Sequence, residues 1–246
     1  LRFEHFLAGA VGSCDGLEAA AAGEPVGDSF DTAVEGMSQQ HGGNAQFGAL
    51  LLLVPLVRAA ATWGLTPTDT AAVVEATTVD DAAGFYRAFE HVDVFVDDPP
   101  ADAEEIDVRR GADAIPAVRE RELTLYDVME LSAPEDGVAA EWTNGFPRTF
   151  AAAETISDGA GPVPDRIAAT FLELLAAEPD TMVAKQHGEE VAASVRERAA
   201  ALRHADRDEL ETFADELVER GVNPGTTADI AAAATFVALE RDGVVP

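Results

Sequence analysis

Helical punctuation recurs from one end of this chain to the other, and almost nothing in it alternates with the period of a strand. Thr66-Pro67-Thr68-Asp69 supplies a capping Thr, a Pro at the first helical position and an acid at the third, ahead of Ala71, Val73 and Val74. Asp206 and Glu209 repeat the arrangement before Leu210, Phe213, Leu217 and Val218, whose spacing marks one helical face, and Gly221 is the expected left-handed stop. Ile167, Phe171, Leu174 and Leu175 form another stripe behind Pro164 and Asp165. Further helices are expected near 2–21, 28–40, 80–90, 113–131, 136–153, 185–203 and 227–240. Val92 to Val96 alone alternates like a strand, and Pro99-Pro100 cuts it short. The Pro/Gly-rich breaks at 97–101 and 158–164 bring no shift of composition and read as loops. Together these features predict an all-α protein, a single multi-helix globular domain over residues 1–246.

Phe47 to Trp63 is the most apolar stretch. It falls short of the roughly 20 residues of a membrane span and holds Pro55 and Arg58. It is expected to be a buried central helix, kinked at Pro55.

Charge narrows the range of partners. The chain carries 46 Asp+Glu against 16 Lys+Arg, a net charge of −30, with 47% apolar residues. Such a surface repels phosphate backbones and anionic lipid, so neither nucleic acid nor membrane is an expected partner. The apolar share excludes a disordered acidic tail. One cysteine, Cys14, forms no intrachain disulfide and no multi-cysteine metal site. Lys185 is the sole lysine, and acid in place of lysine points to a proteome adapted to molar salt, of haloarchaeal type. A soluble, cytoplasmic protein is expected. The chain opens at Leu1 in mid-pattern, with Phe3, Phe6, Leu7 and Ala10 already at helical spacing, so the natural product is expected to extend further at this end.

Familiar catalytic signatures are missing: there is no Walker phosphate loop, glycine-rich dinucleotide fingerprint, paired-histidine zinc helix or nucleophile elbow. Three segments carry chemistry instead. His41 to Gly48 is a polar, glycine-bearing turn before the apolar helix, readable as an anion-holding helix start or as an ordinary loop in which Asn44 caps the helix. Gly221 to Asp229 gathers hydroxyls and glycine N–H groups at the start of an Ala-rich helix, which suits phosphate oxygens. There Asp229 is readable as a magnesium ligand or base, or as the partner of Thr226 in a capping box. Pro179 to Glu189 sets Lys185 beside His187-Gly188, an electropositive pair fit for a polyphosphate; its plainer reading is a solvated helix capped by Asp180.

In this order and spacing the segments resemble the triphosphoribosyl-dephospho-CoA synthase family, its archaeal branch in particular. The family's Gly-x-Asn-Thr-x-x-Gly turn before a long apolar helix is similar to Gly42 to Gly48, and its tyrosine-arginine pair to Phe85-Tyr86-Arg87. The Leu-Thr-Leu-Tyr-x-Val-Met stretch of archaeal members looks like Leu123 to Met129, and the family's Asp-Thr element resembles Asp180-Thr181, followed here by His187-Gly188. Its closing Asn/Ser-Pro-Gly-Gly-Ser/Thr-Ala-Asp motif, the most specific of these, resembles Asn223 to Asp229. This chain departs from the pattern at Gln46-Phe47, where bacterial members carry His-Lys, and at Thr226, where the motif has its second glycine. The family's Thr-Pro-Lys-Pro-Gly segment before the first helix is not in this sequence.

The resemblance implies a pentosyltransferase with an all-helical fold. The ribose 2′-hydroxyl of 3′-dephospho-CoA attacks the anomeric carbon of ATP, adenine leaves, and the triphosphate stays on the transferred sugar. An oxocarbenium-like centre calls for a nearby carboxylate, and the triphosphate for Mg²⁺ with N–H groups or basic residues. Asp180 and Asp229 match the catalytic and metal-holding roles. Asn44, Gln46, Gly48, Tyr86, Arg87, Thr181, Lys185, His187, Asn223, Gly225, Thr226 and Thr227 are the expected substrate contacts. The turns at 42–48, 180–188 and 223–229 are expected to converge. Two alternatives stay open: a related ribosyl transferase with another acceptor in archaeal cofactor synthesis, and a nucleotide-binding relative without turnover. Oligomerisation is likewise open.

Overall fold

The computed structural model describes residues 1–96, 98–99 and 103–244. Fifteen α-helices and two 3-10 segments form among these residues, and no strand. The helices gather into two compact units, residues 1–134 with 139–146, and residues 135–138 with 147–246.

The first unit holds α1 (Phe3–Gly12), α2 (Cys14–Ala22), α3 (Val26–Met37), α4 (Phe47–Thr62), α5 (Pro67–Glu75) and α6 (Val79–Ala88). The 3-10 segments Glu104–Ile106 and Val108–Ala114 follow, then α7 (Ile115–Glu120) and α8 (Leu125–Ser132). α9 (Gly137–Asn144) starts in the second unit and belongs to the first from Ala139 on. α3 packs against α1, α2, α4 and α6. Glycine makes the α3–α6 approach possible: a Cβ at Gly27 or Gly84 would run into the backbone of the other helix. Phe30, Phe47, Phe85 and Phe89 interlock beside it, with ring centroids 4.9–5.8 Å apart for the closest pairs.

α4 is the buried helix expected from composition, with Leu50, Leu52, Val54, Leu56 and Ala59 almost out of solvent's reach. Pro55 sits inside it and has no N–H to give to the carbonyl one turn back, that of Leu51. The buried indole of Trp142 takes the role, its Nε1 donating to the Leu51 oxygen at 3.0 Å. Among the described residues no single helix is long and apolar enough to cross a membrane, and the chain turns through 111° from α4 into α5.

The second unit holds α10 (Pro147–Asp158), α11 (Val163–Ala177), α12 (Thr181–His187), α13 (Glu189–Ala201), α14 (Arg207–Glu219) and α15 (Gly225–Asp242). Leu172, Leu175, Val183, Val195, Phe213 and Leu217 share one apolar core. α15 lies along α10 and also meets α11 and α12.

Several boundaries differ from expectation. The stretch 2–21 is two helices, parted at Ser13, whose hydroxyl donates to the Ala10 carbonyl and competes with the helix ladder. The expected helix 113–131 breaks where Glu122 takes a positive φ of 53° and Thr124 starts a fresh capping box with Asp127. The expected helix 136–153 breaks at Gly145 and Phe146, both left-handed, and Pro147 opens the next helix. Likewise 185–203 resolves into α12 and α13 around Gly188, at φ 90°. Val92 to Val96 is not a strand; its alternation finds no partner to pair with, and strands need one. Part of the break at 97–101 lies outside the described residues, Pro100 included.

Candidate functional site

The richest polar arrangement in the second unit forms where the starts of α12 and α15 meet residues 135–138. Asp180 is the N-cap of α12, its Oδ1 accepting from the Val183 amide at 3.0 Å. Its other oxygen reaches across to α15 and accepts from both the amide and the hydroxyl of Thr227, each at 2.7 Å. One buried carboxylate, 2% exposed, therefore fixes two helix starts to each other. Next to this clamp the hydroxyls of Thr181 and Thr226 lie 2.9 Å apart, and the Gly137 amide donates to Thr181 Oγ1 at 3.1 Å. Gly137 is required here, because a Cβ would stand 2.7 Å from the Thr226 methyl.

Thr226 is thus not an N-cap. Pro224 holds that position, without a side-chain cap bond, and Thr226 is the second residue of α15 with its hydroxyl turned to Thr181. The capping-box reading of Thr226 and Asp229 fails on this geometry. Asp229 lies one turn into the helix and is partly exposed.

The cations are held in place too. Lys185 Nζ pairs with Asp136 Oδ2 at 2.7 Å, and Asp136 Oδ1 accepts the Val138 amide at 2.9 Å. Arg148 Nη1 lies 3.5 Å from Glu178 and would be the same distance from a Cβ at Gly137. His187 is exposed, its Nε2 3.2 Å from the Gly221 carbonyl. Asn223 is exposed and its carbonyl accepts the Gly225 amide at 2.8 Å. Asp136, Gly137 and Arg148 were missed in sequence. The run Pro134-Glu135-Asp136-Gly137 is turn chemistry that the helical stripe behind it obscured.

The candidates at 180–188 and 223–229 are therefore brought together, whereas those at 42–48 and 86–87 belong to the first unit. Asn44 Oδ1 accepts from the Phe47 amide at 3.1 Å, the capping role. Gln46 Oε1 is buried with no hydrogen-bond partner, against Gly9, and Gly48 is partly exposed in α4. Tyr86 departs from expectation. It is 1% exposed, its hydroxyl donates to the Ile106 carbonyl, and burial, with the Asp107 charge, pushes its pKa far up. Such a side chain packs and braces; it does not meet a substrate. Arg87 remains accessible and pairs with Asp28 at 2.7 Å and Asp31 at 2.9 Å.

Magnesium does not fit Asp180. Both its oxygens are engaged by three donors out of solvent's reach, and no group of three or more His, Cys, Asp or Glu among the described residues could hold a metal. The carboxylate expected to bind metal is a structural clamp.

The fold is similar to that of a protein from Archaeoglobus fulgidus whose crystal structure is assigned to a triphosphoribosyl-dephospho-CoA synthase. The TM-score is 0.79 at 26% identity, covering 97% of this chain and 98% of that one. The likeness sets the class: an all-helical protein of the synthase type. The family model for ATP:dephospho-CoA triphosphoribosyl transferase, CitG, matches residues 1–245, and the chain belongs to that family. No curated protein matches it.

Proposed function

We propose that the protein transfers the triphosphoribosyl group of ATP to the ribose 2′-hydroxyl of 3′-dephospho-CoA, releasing adenine. The observation that carries the reading is the family match over residues 1–245. The paired hydroxyls of Thr181 and Thr226 give it local chemistry, because they lie where the family motifs fall.

In this reading the acceptor oxygen forms a bond to the anomeric carbon as the bond from that carbon to adenine N9 breaks. The acceptor's proton passes to a base, and the adenine ring takes up one proton as it leaves, so neutral adenine forms with no net change in protons. Asp229 is the carboxylate for the developing positive charge on the sugar, or for the acceptor proton. Thr181, Thr226 and the glycine-bearing start of α15 hold phosphate oxygens, with Lys185 and Arg148 supplying positive charge. Asp180 acts through Thr227 as a positioning residue. Magnesium enters with ATP as part of the substrate. The lysine-poor, −30 composition supports a cytoplasm of molar salt as the setting.

Incubation with ATP, Mg²⁺ and candidate acceptors in molar KCl, with free adenine as readout, tests the proposal. Adenine formed on addition of dephospho-CoA supports it. Adenine with a different acceptor transfers the reading to another ribosyl transferase, and none with any acceptor overturns turnover altogether.

A further inference from the structure

Three of the chain's sixteen basic side chains line one pocket of the first unit, and of these only Arg87 belongs to a motif of the sequence. Arg58 of α4, Arg87 of α6 and Arg119 of α7 converge on a pocket of about 530 Å³, together with Asp28, Asp80 and Asp81. The carboxylates do not cancel the guanidiniums equally. Asp81 is 6% exposed and its oxygens hold the Gly27 amide and the amide and hydroxyl of Thr78, at 2.7–2.8 Å. It braces the pocket wall. Asp28 pairs with Arg87 and Asp80 with Arg119, at 2.7 and 2.9 Å, but their side chains are 59% and 84% exposed. Ion pairs this wet contribute about 0–1 kcal/mol and yield to a better partner. Arg87 is held besides by Asp31 at 2.9 Å, 18% exposed, and stays in place. Arg58 pairs with no carboxylate among the described residues; its Nη1 donates to the Glu24 carbonyl at 2.7 Å. Arg110 and Arg166 likewise donate to carbonyls, so the pocket it lines is what sets Arg58 apart. Its five N–H donors form a planar fork suited to phosphate oxygens, and one bond to a carbonyl leaves most of them available.

We propose that this pocket is a binding site for a pyrophosphate group, anchored by Arg58 and completed by Arg119 turning from its exposed aspartate, with Arg87 held in the wall by Asp31 as a fixed positive charge. Its volume exceeds that of a lone phosphate and falls within the usual range for small-molecule ligands. The group comes either from a phosphoanhydride-bearing substrate or from free pyrophosphate. The inference does not depend on the proposed transfer, since binding needs no turnover.

Calorimetric titration of the full chain with inorganic pyrophosphate, at fixed ionic strength and without Mg²⁺, is the test. Saturable one-to-one binding is expected, weakened at least tenfold in Arg58→Gln and measurably in Arg119→Gln, with melting temperatures close to the parent's. Arg119 is exposed, so its variant keeps the fold if Arg58→Gln does not. A raised KM for ATP or dephospho-CoA in these variants, with kcat kept, identifies the substrate's own phosphates as the source. Unchanged KM values beside lost pyrophosphate binding identify the free anion. No binding by the parent, binding by both variants as tight as the parent's, or binding of Mg²⁺ at the same residues overturns the proposal.

Discussion

Replacing Trp142 with Phe separates two roles of the indole: it fills the core of the first unit, and it donates to a carbonyl that the helix itself cannot serve. Pro55 deprives Leu51 of its donor one turn ahead, and Trp142 Nε1 supplies one at 3.0 Å. Leu51 is 7% exposed and Trp142 1%, so water does not replace the lost bond. An unsatisfied buried carbonyl costs about 1–3 kcal/mol, to which the vacated volume of the indole adds. Pro55→Ala restores an amide aimed at Leu51. In that background Trp142→Phe leaves the same void but no orphaned carbonyl. A double-mutant cycle by urea unfolding in molar KCl is therefore expected to show coupling of about 1–2 kcal/mol, with Trp142→Phe less costly in the Pro55→Ala background than in the parent. Equal cost in both backgrounds, within about 0.5 kcal/mol, refutes the reasoning and reduces Trp142 to a packing residue.

Asp180→Asn turns an amide group toward donors that now face a carboxylate, so a loss of about 2–4 kcal/mol is expected, with faster hydrogen exchange at the Thr227 amide as the specific readout; unchanged exchange there contradicts the clamp. Gly137→Ala pushes a methyl onto Thr226 and Thr181, so a stability loss of about 1–3 kcal/mol is expected together with a fall in turnover on the order of tenfold to a hundredfold. Asp229→Asn keeps the shape of its side chain and removes the charge, so stability is expected to hold while turnover falls at least tenfold; full turnover removes Asp229 from the chemistry. Dilute buffer in place of molar KCl is expected to lower the melting temperature, because 46 acids repel one another unscreened; an equal or higher value contradicts the charge argument.

The all-α class and the buried helix over 47–63 were legible because caps and apolar stripes are local signals. Thr66, Asp206 and Gly221 act in the structure as they read in the sequence. Breaks within long stripes were harder. Apolar periodicity continues across Ser13, Glu122 and Gly145, and what stops the helix there is a competing hydroxyl or a left-handed residue. The site was half legible. Asp180 and Thr226 were found, but their roles depend on contacts across 47 and 45 residues that no local window holds. Asp180 read either as a helix cap or as a catalytic and metal-holding carboxylate; it is the cap, and its second oxygen is taken up by Thr227. Thr226 looked like a cap and is a hydroxyl paired with one on a neighbouring helix start. Tyr86 misled for the same reason: a family motif marks a position, and burial decides whether that position packs or binds.

In the proposed reaction an intact triphosphoribosyl group moves from ATP to the acceptor. Mass analysis of dephospho-CoA recovered after incubation with ATP and Mg²⁺ in molar KCl, with adenine measured in the same sample, tests it most directly. A product heavier by one triphosphoribosyl group, formed mole for mole with free adenine, is expected. Adenine without that gain in mass, or a product that has lost phosphates from the transferred group, contradicts it.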